Sequence, residues 1–255
     1  MPAALAAVVL GVAACGTDGP DAARPVPNDA SDGSITVFAA ASLTAPFTEL
    51  AGQFEAAYPG SQVTLNFAGS SDLVGQLSEG APADVFASAD EESMAKVAEA
   101  DLLADEPVAF ATNTLQLAVP SDNPAGITSL EDAARPGVKV VVCAERVPCG
   151  ALAARLQAAA DVDLVPVSEE SSVTDVLGKV TSGQADAGLV YVTDVRTAGA
   201  AVRGIGIREA GSAVNTYPIA ALADSASPAT AQEFVEFASG PVGRAVLGAA
   251  GFGAP

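Results

Sequence analysis

Two serines carry the most chemistry in this chain. Ser42 and Ser70 each sit where an apolar run passes straight into an amphipathic segment. Phe38-Ala39-Ala40-Ala41-Ser42-Leu43 ends one run, and Phe67-Ala68-Gly69-Ser70-Ser71-Asp72-Leu73 ends the next. A strand that turns directly into a helix leaves the first helical N–H groups without intrahelical acceptors, pointing at whatever lies beyond the helix start. Small neighbours such as Ala40, Ala41 and Gly69 would let a ligand approach the backbone closely. Two such ends facing one space make a cage of neutral donors, which suits an anion. No Lys or Arg occurs between Pro25 and Ala95, so an anion held there is held by dipoles and hydroxyls. The simpler reading is that each serine merely caps its own helix, and pattern alone leaves the two readings level.

Composition removes several alternatives. Histidine is absent, which excludes Ser-His-Asp and Cys-His catalysis and every His-based metal site. Neither Ser42 nor Ser70 is followed by Lys at the third position, which argues against a Ser nucleophile with a Lys base. A formal charge of −20 disfavours nucleic acid and anionic membrane surfaces as partners. It leaves small anions open, because local dipoles dominate at contact distance. The 255 residues suffice for one large or two small domains.

The N-terminus reads as an export signal over residues 1–15. Ala3 to Ala14 is apolar but too short to span a bilayer comfortably, although no basic residue follows Met1. Val12-Ala13-Ala14-Cys15-Gly16 resembles a bacterial lipobox with Cys15 as the lipid-bearing residue. Residues 16–33, rich in Pro, Asp, Asn and Ser, read as a solvated flexible tether.

The elements that must position the serines begin near Ser34. Ile35 to Ala39 reads as a buried strand, and Leu43, Phe47, Leu50 and Phe54 line one helix face. Val63, Leu65 and Phe67 alternate as a second strand, Leu73, Val74 and Leu77 line the next helix, and Val85 to Ala87 is a third strand. Ser88-Ala89-Asp90 supplies N-cap candidates for a helix through Val97. Further strands are expected at Leu115–Val119, Lys139–Cys143, Leu164–Val167, Gly188–Val192 and Val214–Leu222. Helices are expected at Gly150–Ala160, Val173–Val180, Ala229–Ser239 and Val242–Ala249. Strands alternating with helices predict an α/β protein with parallel pairing. Periodicity leaves one large sheet or two smaller ones open. In a doubly wound sheet both serines would lie on the edge formed by strand C-termini, where ligands bind.

Taken together, several segments carry a more specific signal. Ile35 through Leu43, Phe67-Ala68-Gly69-Ser70-Ser71, and Gly80-Ala81-Pro82-Ala83-Asp84-Val85-Phe86-Ala87-Ser88-Ala89-Asp90 resemble the periplasmic molybdate-binding proteins of ABC importers. Val147-Pro148-Cys149-Gly150, Gly188-Leu189-Val190-Tyr191 and the ending Gly240-Pro241 through Gly251-Phe252 fit the same pattern, in order. The resemblance implies a two-lobed periplasmic-binding-protein fold of type II, each lobe a central sheet flanked by helices. Two segments would cross between lobes, near Ala111–Thr114 and Tyr217-Pro218. Lobe 1 would comprise residues 34–112 plus 218–255, and lobe 2 residues 113–217.

The resemblance also implies a ligand set. Ser42 and Ser70 would offer hydroxyl and backbone N–H, Cys149 and Val173 backbone N–H groups, and Tyr191 its phenolic O–H. No cofactor and no direct metal ligand are implied, since the ligand is an intact oxyanion, molybdate or tungstate. A small residue is usual at the Cys149 position. In an exported protein a Cys143–Cys149 bridge becomes an expectation, with two free thiols as its alternative. Arg146, the nearest cation in sequence, reads as solvated, Asp84 as a structural hydrogen-bond acceptor, and Asp72 and Asp90 as favouring helix N-termini.

An all-donor cage suits a fully deprotonated dianion. Hydrogen phosphate would bury its own proton against donors, at roughly 1–3 kcal/mol per unpaired group. Sulfate must be rejected by size, and tungstate cannot be separated by this physics. The expected partners are an ABC permease with its cytoplasmic ATPase and, through a lipid on Cys15, the outer face of the cell membrane. A monomer that binds no nucleic acid is expected. Other readings are a binding protein for sulfate, phosphate or an organic anion, a Ser-nucleophile hydrolase, and a ligand-sensing module of the kind attached to transcription regulators.

Overall fold

The computed structural model describes Met1 and residues 33–255; the expected lipobox, Cys15 and nearly all of the tether lie outside the described residues. The first half alternates strand and helix. β1 (Ser34–Ala40) runs through a 3-10 turn (Ala41–Leu43) into α1 (Thr44–Ala57), followed by β2 (Gln62–Ala68), α2 (Ser70–Ser78), β3 (Val85–Ala87) and α3 (Glu91–Glu99). Next come β4 (Val108–Pro120), α4 (Leu130–Ala133), β5 (Val140–Cys143), α5 (Pro148–Ala160), β6 (Ser168–Glu170), α6 (Val173–Thr181), β7 (Ala187–Tyr191) and α7 (Val192–Ala198). β8 (Val202–Ile205), β9 (Val214–Ala221), α8 (Pro228–Ser239) and α9 (Pro241–Ala250) close the chain.

The strands follow the order β2-β1-β3-β9-β4-β7-β5-β6, with β8 also paired to β4. β1 pairs in parallel with β2 and β3, and β5 in parallel with β6 and β7, as the βα alternation predicts. The expectation of parallel pairing throughout fails at the centre. β9 runs antiparallel to β3 and β4, and β4 antiparallel to β7 and β8. β4 is 13 residues long, far longer than the expected Leu115–Val119. It pairs with β9 along one stretch and with β7 and β8 along the other, so it belongs to both halves. The two expected crossing segments, 111–114 and Tyr217-Pro218, lie in these paired strands.

Two other element expectations are corrected. Residues 164–167 form no strand; β6 starts at Ser168. Pro166 has no N–H to give a ladder, and Val165 and Val167 are 79% and 59% exposed. An apolar run read as a strand is therefore largely a surface segment. β8 was missed, because Val-Arg-Gly-Ile shows no clean alternation.

The core is built on aromatic edges. Phe54 packs edge-on to Phe234 at 5.3 Å, and Phe47 meets Phe234 at 6.1 Å and Phe110 at 5.8 Å. Phe110 continues to Tyr217 at 6.4 Å, and Tyr217 to Tyr191 at 5.9 Å. The helix periodicity that put Leu43, Phe47, Leu50 and Phe54 on one face is therefore a face buried against α8 and β4, and this packing carries through to a candidate ligand residue.

Asp84 is the structural acceptor expected of it. Its carboxylate accepts from Thr36 N at 2.6 Å, Ser225 Oγ at 2.6 Å and Ala226 N at 3.0 Å. It thereby clamps β1, the approach to β3 and the turn after β9. Asp84→Ala leaves these donors unpaired, and bonds to a charged group contribute about 1.5–3 kcal/mol each. The expected outcome is a loss of about 3 kcal/mol or more in urea unfolding, with anion binding unaffected when measured well below the new midpoint.

Candidate functional site

Neither serine caps its helix. Ser42 lies inside the 3-10 turn, and its Oγ is 3.1 Å from the Tyr217 hydroxyl. Ser70 is the first residue of α2, whose N-cap is Gly69, and its Oγ accepts from Ala89 N at 3.0 Å. Both side chains are buried. The simpler reading, two local caps, is thus displaced by bonds to residues far away in sequence. Capping is done elsewhere, by Asp90 on α3, Ser129 on α4 and Ser172 on α6, each accepting from a first-turn N–H.

One cavity, with a free volume of about 20 Å³, collects every candidate ligand residue. Ser42 and Ser70 line it from one side, with Ala40, Ala41, Gly69 and Ala89. Cys149, Val173 and Tyr191 line it from the other, with Pro148, Ser171 and Ser172. No lining residue is charged, and the space is on the scale of a compact ion rather than an organic molecule.

Helix starts supply the donors. Ser70 opens α2, Val173 opens α6, Cys149 is the second residue of α5, and Ser42 lies in the 3-10 turn leading to α1. Backbone N–H groups at such positions have no acceptor within their own helix, and the partial positive charge of each start favours an anion. Arg146 is exposed, as expected. It contributes instead through its carbonyl, which accepts from Ser71 Oγ at 3.1 Å.

Two devices hold the α5 start in place. Cys143 at the end of β5 is disulfide-bonded to Cys149, tying the strand to the first helical turn. Gly150 follows, where a Cβ would fall 1.9 Å from Ala144 O; only glycine lets the helix pack so closely on the preceding turn.

Tyr191 ends β7 and is fully buried. Burial pushes its hydroxyl far above the usual phenol range, only partly offset by the Tyr217 and Asn215 side chains beside it. It is therefore a neutral O–H donor at any physiological pH. Tyr217 is shifted upward for the same reason, burial first and the neighbouring Tyr191 second. Sequence reading used Tyr217 only as a crossing point and missed Asn215 altogether. An Asn and a Tyr within the largely apolar run of β9 were the available signal.

Asp194, three residues beyond Tyr191, accepts from Tyr191 N at 2.9 Å and is buried. Burial pushes its carboxyl up to about 7, with the Tyr191 N–H pulling the other way. The folded state thus binds a proton that the unfolded chain, with the ordinary value of 3.8, has released. The stabilisation from the protonated form is complete below that ordinary value and is lost as pH rises through about 7. Asp194→Asn is expected to flatten the decline in unfolding free energy across this window, measured by urea melts at several pH values.

Comparison with known proteins places the chain. Residues 35–253 match the family model for bacterial extracellular solute-binding proteins. The chain is 48% identical over 250 residues to the molybdate-binding protein ModA of Mycobacterium tuberculosis, covering 98% of this chain and 95% of that one. Among solved structures, the periplasmic molybdate-binding protein of Azotobacter vinelandii is similar in fold, with a TM-score of 0.73 at 23% identity over 87% of this chain and 99% of that one. The sulfate-binding protein SubI of M. tuberculosis reaches a TM-score of 0.71 at 22% identity, over 86% of each chain. These neighbours share the type II binding-protein fold. With its mixed sheet and its converging helix starts, the chain belongs to the bacterial extracellular solute-binding protein family, alongside the ModA proteins.

Proposed function

We propose that this protein captures molybdate, and equally tungstate, outside the membrane and hands it to an ABC importer. The observation that carries the reading is the uncharged cavity onto which Ser42, Ser70, Cys149, Val173 and Tyr191 converge. Each of these hydroxyls and helix-start N–H groups has a proton to donate. A dianion without protons satisfies each of them, whereas hydrogen phosphate brings a donor of its own and leaves groups unpaired. The relatives named for molybdate binding support the same ligand.

Residues 34–112 plus 218–255 form lobe 1 in this reading, and residues 113–217 form lobe 2. Ser42 and Ser70 belong to the first, and Cys149, Val173 and Tyr191 to the second. The oxyanion then bridges the lobes and favours their closed arrangement by contacts it makes only there. A permease reads closed from open. A lipid on Cys15 keeps the protein at the outer face of the membrane, and it acts as a monomer. No step needs a catalytic residue, and none of the five donors has the partner of an activated nucleophile.

Sulfate is the second reading, because the sulfate-binding neighbour has a similar fold. Size decides between them: Mo–O bonds are longer than S–O bonds, and a rigid donor cage set for the larger ion stretches the hydrogen bonds of the smaller. Calorimetry with molybdate, tungstate, sulfate and phosphate in parallel is the test. Molybdate and tungstate are expected to bind alike and at least about a hundredfold more tightly than sulfate, the equivalent of roughly 3 kcal/mol. Sulfate bound as tightly as molybdate would end the proposal.

A further inference from the structure

Asn215 sits on β9, beneath the cavity, and is 2% exposed. Three partners fill both of its side-chain N–H groups and one of the two lone pairs of its amide oxygen. Arg155 Nη2 donates to Asn215 Oδ1 at 2.7 Å. Asn215 Nδ2 donates to the Pro148 carbonyl at 3.2 Å and to the Tyr191 hydroxyl oxygen at 3.0 Å.

The orientation of this amide follows from chemistry. A guanidinium only donates, so the group facing Arg155 must be the amide oxygen. A backbone carbonyl only accepts, so the group facing Pro148 must be the amide nitrogen. Two independent partners thus demand the same rotamer, and the remaining N–H falls on Tyr191. A phenol oxygen that accepts there keeps its own proton for another partner, and Tyr191 lines the anion cavity. Tyr217, the other hydroxyl at hand, is already engaged with Ser42 Oγ and has a proton of its own to give.

The Pro148 bond has a second consequence. The Pro148 carbonyl and the Cys149 N–H belong to one peptide plane, and in a trans peptide they point in opposite directions. No cis peptide occurs among the described residues. Holding the carbonyl from one side therefore aims the Cys149 N–H toward the other.

We infer that Asn215, oriented by Arg155, is a positioning residue that makes Tyr191 an obligate donor and so sets the discrimination against protonated oxyanions. The inference rests on the oxyanion-binding reading above and adds to it the residue that polarises the site. In Asn215→Asp the carboxylate accepts from Tyr191, the phenol proton turns away, and an oxygen lone pair faces the cavity. That lone pair is what hydrogen phosphate lacks in the wild-type site.

The test is calorimetric competition between molybdate and hydrogen phosphate at neutral pH. It compares wild type, Asn215→Asp, Arg155→Met, Tyr191→Phe and the Asn215→Asp/Tyr191→Phe double variant. Asn215→Asp is expected to narrow the molybdate-to-phosphate affinity ratio by about tenfold or more, the scale of one buried hydrogen bond. In the Tyr191→Phe background the same substitution is expected to leave the ratio unchanged, because the effect acts through the hydroxyl. Equal weakening of both anions, or equal narrowing with and without the hydroxyl, would overturn the inference. Should Asn215→Asp not fold, Arg155→Met decides alone. Arg155 is exposed, its loss removes one of the two partners that fix the rotamer, and a narrowing of a few-fold is expected; an unchanged ratio rejects the role. Wild-type protein that takes up no molybdate would instead overturn the functional reading, and this inference with it.

Discussion

Replacing Ser42 and Ser70 together by alanine is expected to weaken molybdate binding by about two to four orders of magnitude while the protein remains folded. Each hydroxyl offers a hydrogen bond to a charged ligand, and such bonds contribute about 1.5–3 kcal/mol each. Two lost bonds therefore correspond to roughly 3–6 kcal/mol, and each 1.4 kcal/mol is a factor of ten. The cost to the fold is smaller. Ser42 gives up one contact with Tyr217, and Ser70 one bond from Ala89 N, each on the order of 1 kcal/mol between neutral groups. Calorimetry and a thermal melt on the same preparation separate the two effects. Affinity unchanged in the double variant would refute the assignment of the site.

If the protein closes as two lobes in the way proposed above, Gly69→Ala is expected to abolish that closure without disturbing either lobe. Gly69 precedes α2 with φ −58° and ψ 138°, a conformation that alanine adopts freely. Within its own half the nearest atom to the added methyl is Asp72 Oδ2, at an ordinary 3.4 Å. Across the cavity it would lie 2.3 Å from the Ser171 carbonyl oxygen, which is backbone and cannot rotate out of the way. The closed arrangement is therefore blocked at the same place where Ser71 Oγ donates to Arg146 O. The variant should bind molybdate at least about a hundredfold more weakly, since the ligand then reaches donors from one lobe only. Small-angle scattering should show no compaction on adding ligand. A variant that compacts and binds as wild type does would mean that the close approach of Gly69 to Ser171 has no part in closure.

Both predictions turn on contacts between residues far apart in sequence, and this is where sequence reading reached its limit. Local elements were legible because they rest on local rules. The 3.6-residue spacing of Leu43, Phe47, Leu50 and Phe54 marked α1, and the face formed by Leu73, Val74 and Leu77 marked α2. The reading failed where a local rule was overridden. Residues 164–167 are apolar, yet Pro166 and solvent exposure keep them out of the sheet. The antiparallel centre was illegible because β4 and β9 are joined by nearly a hundred residues of intervening chain, and no helix between adjacent strands announces their direction.

The candidate residues divide in the same way. Ser42 and Ser70 were visible as serines at strand-to-helix junctions. Cys149 and Val173 are proposed to act through backbone N–H groups, so no side-chain signal marks them, and only resemblance pointed to them. Arg155 left no signal, and Asn215 only that of an amide within a strand, because their effect depends on which atoms face which.

By itself, the sequence determined what this protein cannot be and what its donors are. Without histidine, and with no cation from Pro25 to Ala95, any anion held at the serine turns is held by hydroxyls and helix starts. The tertiary structure alone decided that these residues meet in one space, that the serines bond across the fold instead of capping their helices, and that Asn215 donates to the Tyr191 hydroxyl oxygen. Hydrogen-bond direction is a property of atoms in place: a residue's identity gives the donors it owns, and only the packed fold gives the acceptor each one faces.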